Sequence, residues 1–202
     1  MPGRTSGGKE AAINEVQAYV EGFLPEDEAL REARRLGDEY GAFPISVAGG
    51  AALRFIASLI NARTVVEIGS GCGVSGIWLL RGMHPNGVLT SVDVEPENQR
   101  LAKMAYTDAG FTGSRTRMIA GRALDVLPRL TDGAYDLVFA DAVQREYPEY
   151  LAAAVRLLRP GGVVAFDKAL GEDVVRLVSE DENLIPLLLP LGGGLLLAQK
   201  RG

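Results

Sequence analysis

The chain has 202 residues, enough for one domain with a full core and too few for two of ordinary size. Its formal charge of -5 argues against a nucleic-acid surface, and a hydrophobic content of 47% is ordinary for a globular protein. One cysteine, Cys72, excludes an intrachain disulfide, and one histidine, His84, leaves little material for a Cys/His zinc cluster or a Ser-His-Asp triad.

The first ten residues, rich in glycine and serine, read as a disordered tail with no apolar signal core. No run approaches the roughly 20 apolar residues of a membrane span, so no membrane partner is expected and the cytoplasm is the simplest location. Residues 11–202 read as one domain, divided into N-terminal helices (11–62) and a core (63–202). Ile13, Val16, Tyr19, Val20 and Phe23 recur at helical spacing, Pro25 breaks the pattern, and Ala29, Leu30, Ala33 and Leu36 resume it. The acidic stretch "EDEAL" (26–30) fits the dipole at a helix start. A third, more apolar helix covers 46–62 with Ser46 as its N-cap.

From Thr64 the texture changes to short β-branched runs at 65–68, 88–92, 115–119, 135–140 and 162–166, separated by helical stretches near 74–82, 96–109, 121–128 and 146–158. Strict alternation of strand and helix predicts right-handed crossovers and a parallel sheet covered on both faces. A helix near 172–180 follows, and then "LIPLLLPL" and "LLLAQK" flank the glycines 192–194, which predicts an antiparallel hairpin and a seven-stranded sheet in all.

The first strand runs into "GSGCGVSG" (69–76), where glycines permit tight turning and close approach of backbone N–H groups to a ligand at a helix N-terminus. Gly71, Gly73 and Gly76 satisfy the dinucleotide fingerprint, with Asp93 at the end of the second strand where a ribose hydroxyl would be read. Yet Glu67, inside the strand, would repel a pyrophosphate and suits a cationic amine. Together with Arg122 and Ala123 after the third strand, and the terminal hairpin, it favours S-adenosylmethionine over a dinucleotide. Blander readings exist: Glu67 as a buried acid satisfied by hydrogen bonds, Ser75 as a helix cap, Cys72 and Trp78 as packing residues and His84 as a solvated turn residue.

On "VVEIGSGCGVSGIWLL", "GVLTSVDVEPENQRLA", "GRALDVLPRL", "YDLVFADAVQREYPEYL" and "VRLLRPGGVVAFD", in that order, the chain resembles the class I methyltransferases, within them the catechol and caffeoyl-CoA O-methyltransferase-like family. The resemblance, over residues 11–202, implies a Rossmann-like α/β fold and a homodimer. It also implies a transferase that moves methyl from S-adenosylmethionine to an oxygen of a small-molecule acceptor. It implies cofactor contacts at Val47, Glu67, Gly69, Ser70, Gly71, Gly73, Ser75, Asp93, Ala123 and Asp141.

The same resemblance implies a magnesium-type cation held by two aspartates and an asparagine, with a lysine assisting deprotonation. Asp141 and Asp167 match the aspartates, but Lys168 stands where the asparagine would, and Gln144 where the lysine would. A dication about 4 Å from an ammonium is disfavoured by about 8 kcal/mol at an effective dielectric near 20. The expectation is therefore that Lys168 pairs with both aspartates in the cation's place, that Asp141 and Lys168 carry the catalytic role, and that the reaction is metal-independent. Other classes consistent with the loop are a non-catalytic S-adenosylmethionine-binding protein and a nicotinamide-dependent dehydrogenase.

Overall fold

The computed structural model describes residues 6–202, with side chains from residue 11, and the expected tail at residues 1–5 lies outside the described residues. Helix α1 (Ser6–Gly22) starts five residues before the expected boundary, carried back by the helix-forming run "KEAA". Helix α2 (Glu28–Glu39) is capped by Asp27, whose carboxylate accepts from the Leu30 N–H at 3.1 Å, and α3 (Val47–Leu59) by Ser46, as expected.

The alternating core follows: β1 (Thr64–Ile68), α4 (Val74–Gly82), β2 (Val88–Asp93), α5 (Pro96–Asp108), β3 (Thr116–Ala120), a short α6 (Ala123–Val126), β4 (Tyr135–Ala140), α7 (Tyr147–Leu157), β5 (Leu158–Phe166), α8 (Asp173–Glu180), β6 (Leu184–Leu189) and β7 (Leu195–Lys200). The third strand starts one residue later than its pattern predicts because Gly113–Arg115 close a 3-10 turn. The fifth starts four residues earlier, through an irregular stretch at Pro160 and Gly161 where the register with β4 shifts.

The sheet order is β3-β2-β1-β4-β5-β7-β6, parallel except for the antiparallel pairs that β7 makes with β5 and β6. Side chains alternate across it. Leu137 and Phe139 of β4 join one core with Leu53, Ile77, Trp78 and Leu89, while Val138 and Ala140 join a second with Tyr147, Leu151 and Phe166. Two covered faces explain why the central strands read as continuous apolar runs. The chain winds outward from β1 to β3, then returns to the centre and winds the other way from β4. The crevice at this switch point, past the carboxyl ends of β1 and β4, is where such sheets bind ligands.

Candidate active site

Three of the acids singled out in the sequence leave the sheet at this edge. Asp93 ends β2; Asp141 and Asp167 directly follow β4 and β5, and their N–H groups continue the ladder to Ile68 O at 2.9 Å and Ala140 O at 3.0 Å. The intervening loop turns on left-handed glycines: Gly69 at φ 90°, Gly71 at 46° and Gly73 at 96°. A Cβ at Gly69 would collide with the Asp141 carbonyl, so glycine there lets the ends of β1 and β4 converge. Gly73 is the N-cap of α4 and offers no side-chain acceptor, which leaves that helix start open to a ligand. Gly76 has a different purpose, because a Cβ there would strike the Tyr106 hydroxyl of α5.

Asp93 is fixed by its neighbours. Its carboxylate accepts from Gly71 N–H at 3.0 Å, Glu95 N–H at 2.9 Å and the Ser70 hydroxyl at 3.3 Å. It borders a cavity of about 720 Å³ that runs from Asp93, Gly121 and Ala123 past Gly69 and Gly71 to Asp141 and Lys168. That volume suits a nucleoside-sized ligand. Arg122 and Gln144 also border it. Ser70, Cys72 and Ser75 line a recess of about 20 Å³ that shares Gly69, Gly71 and Asp141 with the cavity.

Three expected contacts fall outside both spaces, the first being Gly73, where a Cβ would press on Ala102 and Tyr106 of α5. Val47, the first residue of α3, packs against the core instead. Glu67 is fully buried beneath the loop and accepts from the hydroxyls of Ser75 at 2.6 Å, Ser91 at 2.6 Å and Tyr106 at 3.0 Å. Burial raises its pKa to about 7 although all three hydroxyls pull it down. Ser75 does not cap α4 with its side chain but turns inward to the acid, so three neutral hydroxyl donors surround Glu67.

At the other end of the cavity the Lys168 Nζ lies 2.7 Å from each Asp141 carboxylate oxygen, 3.3 Å from Asp167 Oδ2 and 3.0 Å from the carbonyl of Phe43. Burial raises the Asp141 carboxyl to about 6 against the pull of Lys168, and burial raises Asp167 as well. A divalent ion does not fit these residues: an ammonium occupies the space between the two carboxylates. Among the described residues no group of three or more His, Cys, Asp and Glu could hold a metal.

Several residues of this cluster gave no local signal. Phe43 contributes a backbone carbonyl, which any residue type could supply. Tyr147 donates its hydroxyl to Asp167 O at 2.8 Å, although its spacing marks it only as a core residue of α7. The turn at 192–194 packs on the segment after β5, with Ala169 N–H bonded to Gly194 O at 2.9 Å and Leu170 N–H to Gly193 O at 3.2 Å. The three consecutive glycines read as a hairpin turn, and nothing local tells what that turn packs upon.

Comparisons with known proteins agree with this geometry. A family profile described as O-methyltransferase matches residues 21–200. An O-methyltransferase relative from Mycolicibacterium vanbaalenii is 45% identical over 98% of this chain and 97% of its own length, and one from Mycobacterium tuberculosis is 44% identical over 98% and 95%. Among solved structures, a protein of Corynebacterium glutamicum superposes with a TM-score of 0.88 at 29% identity, covering 95% of this chain and 98% of its own. The O-methyltransferase TomG from Streptomyces achromogenes, in complex with S-adenosylmethionine, gives 0.83 at 30% identity, covering 93% and 96%. These matches do not favour a dehydrogenase, and no described helix is long and apolar enough to cross a membrane. The chain belongs to the O-methyltransferase family.

Proposed function

We propose that the chain binds S-adenosylmethionine in the large cavity and methylates an oxygen of a small-molecule acceptor held beside Asp141 and Lys168. The observation that carries this reading is the cavity's polarity along its length, with the fixed carboxylate of Asp93 at one end, the left-handed Gly69 and Gly71 midway and the Lys168–Asp141 pair at the other. Asp93 accepts hydrogen bonds from the ribose hydroxyls. Ala123, beside Gly121, leaves width for a flat base. Gly69, Ser70, Gly71 and Gly73 present backbone to the amino-acid part, and Ser75 links that floor to Glu67 beneath it, while Val47 supports the loop from the side. When bound, the cofactor would supply an electrophilic methyl, and the Asp141 carboxylate is placed to take the proton that the acceptor hydroxyl gives up. Asp141, fixed in place by Lys168, holds the acceptor hydroxyl at the junction, so the chain accelerates the reaction by orientation and by excluding water.

Two further readings accompany this one. A homodimer is supported by Val16 and Tyr19 of α1 and by Phe23 just past its end, all left exposed. A cytoplasmic setting suits the lone buried thiol of Cys72.

Calorimetric titration with S-adenosylmethionine, S-adenosylhomocysteine and NAD tests the cofactor. The first two are expected to bind and NAD is not; the reverse pattern would overturn the assignment. Asp93→Asn should weaken S-adenosylhomocysteine by about 10- to 100-fold, the worth of a hydrogen bond to a charged acceptor.

A further inference from the structure

We propose that Lys168 is a resident cation that permanently fills the position between Asp141 and Asp167, so that the site takes acceptors presenting a single hydroxyl and gains nothing from a chelating pair. The ammonium is surrounded by four oxygens: both of Asp141 at 2.7 Å, Phe43 O at 3.0 Å and Asp167 Oδ2 at 3.3 Å. Three N–H donors facing four acceptors leave no vacant position. A divalent ion at the same point would keep positions open for two adjacent hydroxyls; this ammonium offers none.

The chain holds the lysine there at a conformational cost. Lys168 has φ 52°, in the left-handed region that disfavours side chains, so this is not a lysine trailing into solvent from a strand end. The distortion is pinned from both sides, by Asp167 N–H on Ala140 O and by Ala169 N–H on Gly194 O at 2.9 Å. A Cβ at Gly193 would lie 3.1 Å from Lys168 Cα and 3.2 Å from its Cγ, so the hairpin turn is pressed directly against the residue. Three distant segments, the loop before α3, the end of β4 and the glycine turn, meet on this one side chain. The two carboxylates are themselves largely enclosed, with side-chain exposures of 14% for Asp141 and 5% for Asp167, which makes an internal counterion necessary.

The acceptor consequence rests on the methyltransferase reading; the exclusion of metal does not, and the experiment keeps them apart. Mn²⁺ is titrated into the intact protein, followed by its electron paramagnetic resonance, for the wild type, Lys168→Asn and Lys168→Met, with circular dichroism reporting the fold. The wild type is expected to show no site up to about 1 mM, and folded Lys168→Asn to bind at least about tenfold more tightly than the wild type. Stoichiometric binding by the wild type that Asp167→Asn abolishes would overturn the proposal, as would folded Lys168→Asn and Lys168→Met variants that gain nothing. If neither variant folds, the wild-type titration decides alone. Turnover of a monophenol and of a vicinal diphenol should be similar and unchanged by EDTA; loss of turnover on chelation would also overturn it. A protein that turns over no phenol but excludes Mn²⁺ until Lys168 is replaced would refute the methyltransferase reading and leave the resident cation standing.

Discussion

Glu67 is a fully buried carboxyl with three hydroxyl donors, and its pKa of about 7 makes it a titrating group at physiological pH. The sign follows from linkage: its folded pKa is raised above the ordinary 4.5, so its contribution to stability is fully present below about 4.5 and is lost as pH rises through about 7. Glu67→Gln keeps an oxygen acceptor for the hydroxyls and removes the charge. Between pH 4.5 and pH 8 the stability of the variant relative to the wild type should therefore rise by about 3 kcal/mol at most, read by urea denaturation at each pH. A difference that stays constant with pH would show that burial does not perturb this acid. The sequence marked Glu67 as special but not its hydroxyl partners, because Ser91 and Tyr106 come from other elements.

Among elements, α4 and α5 illustrate how one motif divides its labour. Gly71 and Gly73 shape the turn, whereas Gly76 exists so that Tyr106 can cross α4 and reach Glu67 at 3.0 Å. Gly76→Ala should cost about 1–3 kcal/mol through overpacking, despite alanine's better helix propensity, and guanidinium denaturation would reveal it. A neutral or stabilising result would mean that the two helices can separate freely. At the far edge of the sheet, Asp136 ties the start of β1 to β4 by accepting from Arg63 N–H at 2.7 Å and Thr64 N–H at 2.9 Å, while pairing with Arg159 at 2.5 Å. Asp136→Ala strands these part-buried donors and should lower stability by about 1–3 kcal/mol in the same measurement. The strand boundaries on either side were legible because their apolar runs are local; the irregular start of β5 was not, since proline and glycine at 160–161 read as a turn between helix and strand rather than a bend within the strand.

At the scale of the molecule, α1 lies on α3, with Glu21 accepting from Ala48 N–H at 3.1 Å, and leaves Val16 63% exposed, with Phe23 just past its end 69% exposed. Burying that stripe against a second copy is the expected solution. Light scattering should give a dimer mass for the wild type and a monomer for Val16→Asp with Phe23→Asp, with S-adenosylhomocysteine binding retained. A monomeric wild type would refute the dimer.

The alternation of period-two and helical patterns, the glycine loop and the order of the acids along the chain determined the fold and the neighbourhood of the site, since each depends on residues close together in sequence. Tertiary structure alone decided what those acids do. Lys168 reaches Asp141 across 27 positions and Phe43 across 125, and Glu67 meets Tyr106 across 39. Whether a carboxylate faces a cation, a hydroxyl or a cavity depends on chain segments that only folding brings together, and no local pattern encodes the angle at which they meet.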